Sequence, residues 1–71
     1  MTSLLVACGR ALYGDRWQSP LARDLGVADR TMRRWVAGSH PVPEGIAADL
    51  LKLVQERRGE LRELAGQLKA A

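Results

Sequence analysis

The sequence predicts an all-α fold, and three features carry that expectation. Apolar residues recur at three- and four-residue spacing through most of the chain, the period of a helix face. Glycine and proline fall between those stretches, at Gly14, Gly26, Gly38, Pro41 and Pro43, where they punctuate helices. No segment alternates apolar and polar residues as a half-buried strand does. A chain of 71 residues has room for one domain. Its core is thin, because small domains bury the smallest share of their surface. The single cysteine, Cys8, excludes an internal disulfide. With one histidine besides, the chain has too few ligands for a structural zinc site.

Each element has its own local reason. From Ser3 to Tyr13, Leu4, Leu5, Cys8 and Leu12 form a helical stripe, with Ser3 as the expected N-cap and Gly14-Asp15 as the stop. Ser19-Pro20 reads as an N-cap followed by proline at the first helical position, where its missing N–H costs nothing. Leu21, Ala22 and Leu25 are the inner face of that short second helix, and Gly26 is its left-handed C-terminal cap. A third helix is expected over Asp29–Ala37, ended by Gly38. Ser39 to Pro43 stays extended, since each proline disfavours helical geometry in the residue before it.

From Pro43 onward the pattern is helical to the end. Leu50, Val54, Arg57, Leu61, Leu64 and Leu68 alternate four- and three-residue steps, a seam of the coiled-coil kind. Gly59 lies inside it at a cost of about 1 kcal/mol relative to alanine. A continuous or gently bent helix is expected there in preference to a break, so the count is four to five helices with a long last one. Ile46, Leu50 and Val54 are expected to close the core. The leucines beyond them have no partner within the chain.

Charge is unevenly divided. Residues 1–43 hold six arginines against three aspartates, a net +3, while residues 44–71 hold five basic and five acidic side chains and are neutral. Nine of the eleven basic residues are arginine, which suits bidentate contacts with phosphate and guanine.

The stretch Gln18 to Val36 carries the functional signal. Two short helices crossed at a tight turn make a helix-turn-helix, a geometry that demands particular residues. Ala22 is small where the next helix crosses; Gly26 sits in the turn; Val27 enters the angle between the helices; Met32 and Trp35 anchor the second helix. At about 100° per residue, Arg30, Arg33, Arg34 and Ala37 share the face opposite Met32, Trp35 and Val36. An arginine face of this kind fits a DNA major groove, which admits a helix and offers guanine O6 and N7 to a guanidinium.

Gln18-Ser19-Pro20-Leu21-Ala22-Arg23-Asp24-Leu25-Gly26-Val27, followed by Arg30-Thr31-Met32-Arg33-Arg34-Trp35 and Gly38, resembles the DNA-binding domain of Cro/C1-type (Xre-like) regulators of phages and bacteria. The resemblance covers residues 4–55 and departs at Ala28, where that family usually places a capping serine, and in the double-proline loop after Gly38. It implies a helix-turn-helix DNA-binding domain, here residues 1–55; the unpartnered leucines make the C-terminal helical extension, residues 56–71, the expected dimerisation element. The resemblance also implies a phosphate contact for Gln18. On the arginine face, Arg30 and Arg34 are the expected base readers, with Asp29 accepting from a cytosine or orienting an arginine. Arg33 and Thr31 are expected at phosphates, with Arg16 and His40 flanking them. Leu61, Leu64 and Leu68 are the expected dimer interface.

Blander readings stand beside these. The arginines can be a solvated face, with Asp29 and Arg33 as a surface pair worth about 0.3–0.5 kcal/mol. Trp17, Trp35 and Cys8 fit a core better than a ligand site, and His40 fits an ordinary loop. No nucleophile lies beside a base and no glycine-rich phosphate loop occurs, so an enzyme is not expected, nor a cofactor, metal or small-molecule ligand. The run Leu4 to Cys8 is too short for a signal peptide. No stretch approaches the roughly 20 apolar residues of a membrane span, and a cytoplasmic chain is expected. The expected function is a homodimeric (auto)repressor that reads an inverted repeat in double-stranded DNA. The alternatives are an antitoxin whose last helix grips another polypeptide, and a helical interaction module that never touches DNA.

Overall fold

The computed structural model describes all 71 residues as four helices and no strand: α1 (Thr2–Tyr13), α2 (Gln18–Leu25), α3 (Asp29–Ala37) and α4 (Gly45–Ala70). No helix is long and apolar enough to cross a membrane. Helix α4 runs unbroken through Gly59, so the five-helix alternative does not occur.

The starts of α1 and α2 differ from the sequence expectation. Ser3 lies inside α1, whose N-cap is Met1 with no side-chain cap. Ser19 and Pro20 occupy the second and third positions of α2, and Trp17 is the N-cap. Proline is still tolerated there, because the first N–H groups of any helix lack an intrahelical acceptor. The first amide to bond back is that of Leu21, to the Trp17 carbonyl at 3.0 Å.

The ends of α2 and α3 match expectation. Gly26 adopts φ 74° and ψ 28°. Its N–H donates to the Arg23 carbonyl at 3.1 Å, and the Val27 N–H donates to the Ala22 carbonyl at 2.9 Å. These paired bonds are the Schellman closure, and glycine takes the left-handed conformation without a Cβ penalty. The same pair recurs at the end of α3, from Gly38 to Trp35 and from Ser39 to Arg34, both at 3.1 Å.

All four helices converge on one core of Leu5, Trp17, Leu21, Ala22, Met32, Trp35, Ile46 and Leu50. Two sequence expectations fail here. Leu4 is 59% exposed, and the inner stripe of α1 is Leu5, Gly9 and Leu12. Val54 is 37% exposed and does not close the core; Leu53 packs there instead. The cause is the rotation of α4: its inward line is Ile46, Leu50, Leu53 and Arg57, and Val54 lies about 100° further round.

Arg57 ties α4 to α1. Its Nη1 donates to the Leu12 carbonyl at 2.7 Å, which satisfies an orphan acceptor at the end of α1. Its guanidinium lies over the Tyr13 ring, 5.9 Å from the centroid, and its Nε is 3.6 Å from Glu60. The Tyr13 hydroxyl donates to the Asp24 carboxylate on α2. Partial burial, and then that carboxylate, push the Tyr13 phenol up to about 12, so it stays a protonated donor at neutral pH.

Beyond Arg57 every residue of α4 is exposed. The molecule measures 48 × 22 × 20 Å, with a radius of gyration of 13.9 Å. A compact chain of this length has about 11 Å. The excess is the protruding second half of α4.

Gly9 and Gly59 make opposite predictions from the same residue type. Both are helical, and propensity alone favours alanine by about 1 kcal/mol at each. Around Gly59 space is open, whereas a methyl built on Gly9 falls inside the Trp17 ring. Trp17 is 3% exposed and cannot swing away. Gly59→Ala is expected to raise stability by up to about 1 kcal/mol, and Gly9→Ala to lower it by about 1–3 kcal/mol or more through overpacking. Urea denaturation of the two variants checks both signs.

Candidate nucleic-acid interface

Helix α3 is held from behind. Met32 is fully buried and Trp35 is 5% exposed, and both belong to the core cluster that holds Leu21 and Ala22 of α2. Ala22 has no side chain beyond Cβ, which lets α3 approach closely across it. With Met32 and Trp35 turned inward, the helical period turns Arg30, Arg33, Arg34 and Ala37 outward; these four are exposed, and so is Asp29 at the start of the helix. Thr31 and Val36 are half-buried at the flanks.

The outward arginines have no partner within the chain. The one ion pair in the molecule is Arg57–Glu60. The surface pair Asp29–Arg33 is therefore not formed. Asp29 instead accepts a hydrogen bond from the Ser19 hydroxyl, 3.2 Å away, which leaves its carboxylate exposed but tethered to the start of α2. A neutral hydroxyl does not cancel the aspartate charge, and that charge sits favourably in the first turn of α3.

Through Ser19 and Asp29 the N-termini of α2 and α3 meet. Neither helix has a side-chain cap. The amides of Gln18 and Ser19 find no acceptor within the helix, so α2 opens with free donors beside the half-buried Gln18. Arg16 is exposed in the preceding loop and shares a shallow polar hollow with Asp15, Gln18 and Ser19. Arg16, Gln18 and Asp29 are thus linked through Ser19 at one junction, and Arg30 follows Asp29 in sequence. Arg33 and Arg34 extend that surface along α3. His40 lies beyond the far end of α3, after its Gly38 cap; it is exposed, with Nδ1 3.4 Å from the Ser39 hydroxyl.

At this junction Ser19 is not the cap that its sequence position suggests. Its cap-like position before Pro20 was legible, but its partner is ten residues away across the turn. Only the crossing of the helices brings the two together.

Leu61, Leu64 and Leu68 stand apart from this face, on the free half of α4, at 57%, 52% and 75% exposure. No family model, curated protein or solved structure matches the chain.

Proposed function

We propose that this chain is a sequence-specific DNA-binding regulator in which α2, its turn and α3 work as a helix-turn-helix, with α3 entering the major groove. The observation that carries the reading is the unpaired arginine face. Arg30, Arg33 and Arg34 point outward from a helix anchored by Met32 and Trp35, with no intrachain carboxylate engaging them. Free guanidiniums on a rigid helix are preorganised bidentate donors, suited to phosphate oxygens and to guanine O6 and N7.

In this reading Arg30 and Arg34 contact bases, and Asp29 orients Arg30 or accepts from a cytosine N4. Arg33 and Thr31 contact phosphates along α3. Arg16, Gln18 and the free amides opening α2 hold a phosphate at the other edge, as helix N-termini favour anions. His40 reaches the backbone from beyond α3. The distal leucines of α4 join two copies, and two-fold symmetry sets the recognition helices about 34 Å apart on an inverted repeat. Such a protein represses by occupying its site.

Fluorescence anisotropy with the duplex upstream of the chain's own coding sequence tests the reading. Saturable binding that survives nonspecific competitor supports it, and no binding at low salt overturns it. Recovery from cells with a small second polypeptide on α4 would favour the antitoxin alternative.

Salt dependence separates the arginines. Each neutralised phosphate adds about −0.9 to the slope of log affinity against log salt on duplex DNA. Arg33→Ala is expected to weaken all sequences alike and to flatten that slope by about one unit. An unchanged slope would remove Arg33 from the phosphate contacts.

A further inference from the structure

The large hydrophobic side chains that the fold leaves exposed all come from two helices. Met1 and Leu4 lie at the start of α1; Leu51, Val54, Leu61, Leu64 and Leu68 lie along α4. Neither α2 nor α3 supplies one. Between α1 and α4 they border a groove of about 280 Å³ with an entirely apolar lining, walled by Met1, Leu4 and Cys8 on one side and Ala47, Leu51 and Val54 on the other. Val54 also borders a second hollow of about 280 Å³ that continues over Leu12 and Arg57 to Leu61. The apolar strip is therefore continuous from the body of the molecule onto the free arm of α4.

The spacing along α4 identifies what fits the strip. Counted outward from the Arg57–Arg58 peptide, Val54 and Leu61 are equidistant, then Leu51 and Leu64, then Ala47 and Leu68. Steps of three, four and seven keep all six on one face. A pattern that reads the same in both directions is matched by an antiparallel copy of itself. A foreign helix has no need of that symmetry. The charges agree, since residues 44–71 are neutral and two copies meet without net repulsion. At the centre, Arg57 is turned back onto its own chain by the Leu12 carbonyl and Glu60. The stem of Arg58 is long enough to keep its guanidinium in water.

We infer that the groove between α1 and α4 is the seat for the distal half of α4 from a second copy of this chain, the two α4 helices running antiparallel about a two-fold axis at the Arg57–Arg58 peptide. Leu61 then meets Val54 of the other copy, Leu64 meets Leu51, and Leu68 enters beside Ala47 and Leu4. The contact extends from Ala47 to Leu68, about 32 Å at 1.5 Å per residue. The α3 faces stay uncovered, because the strip includes none of their residues. This inference rests on the two-fold assembly proposed above and not on DNA binding.

Disulfide trapping tests it. In a Cys8→Ala background, chains carrying Val54→Cys are mixed with chains carrying Leu61→Cys and oxidised at tens of micromolar. The seat requires the mixed disulfide dimer to exceed either like-with-like dimer several-fold. Dominant Val54→Cys homodimers would indicate parallel helices and overturn the seat while leaving a homodimer standing. Wild-type chain that sediments as a monomer at that concentration would overturn both. In parallel, Leu4→Glu and Leu51→Glu change exposed residues, and circular dichroism confirms that the fold is retained. Each is expected to weaken dimerisation at least tenfold. Unchanged dimerisation would confine the interface to the distal leucines and overturn the seat.

Discussion

Arg34→Ala is expected to lose discrimination at one or two base pairs of the operator while leaving the fold intact. A bidentate arginine–guanine contact is worth roughly 1–3 kcal/mol against the wrong base. A two-fold protein makes the contact in both half-sites, so the loss is about 2–6 kcal/mol if the sites are independent. Nothing inside the chain compensates or suffers, because Arg34 is exposed and outside the one ion pair. Thermal melting should therefore be unchanged within a few tenths of a kcal/mol, the usual range for surface substitutions. Arg30→Ala should shift preference at a different base pair, since it lies one turn closer to the start of α3. Anisotropy with the preferred duplex and with single-base variants separates the two. If both variants keep the wild-type preference and affinity, α3 is not the reading element.

Leu61→Glu with Leu64→Glu is expected to give a folded monomer. Both leucines are more than half exposed and contribute nothing to the core of their own chain. Pairing them with a second copy removes apolar surface from water at about 25 cal/mol per Å². Two glutamates on the same strip of each chain reverse that gain and add repulsion between chains. Sedimentation reads the change directly. Binding to a full operator should fall by about 10²–10⁴-fold, the range by which linking two sites raises avidity. Binding to an isolated half-site should change little, because Leu61 and Leu64 lie on α4, away from the arginine face of α3. A double variant that still sediments as a dimer would remove these leucines from the interface.

Much of the fold was legible because it depends on local chemistry. The third helix spans Asp29–Ala37 as expected, since Gly26 and Gly38 are left-handed caps whose geometry needs no distant contact. The outward arginines of α3 followed from helical period alone once Met32 and Trp35 were recognised as anchors. The exposed leucines of α4 followed from counting what the short preceding helices can cover.

What sequence could not supply was the rotation of each helix and its partners far along the same chain. Leu4 and Leu5 are neighbours of equal hydrophobicity, and the packing of α1 on the other helices, with Gly9 against Trp17, buries Leu5 and leaves Leu4 exposed. Val54 fits the seam as well as Leu53 does, yet the direction from which α1 and α2 approach α4 selects Leu53. Ser19 looked like a cap because caps are local, but its hydroxyl serves Asp29 across the turn. Arg57 interrupts an apolar seam for a reason visible only in three dimensions: the carbonyl of Leu12, forty-five residues earlier, lies within 2.7 Å of its guanidinium. Period and capping are properties of a few consecutive residues and can be read from them. Which face turns inward is settled by packing between segments far apart in sequence, and that is what the tertiary structure decided.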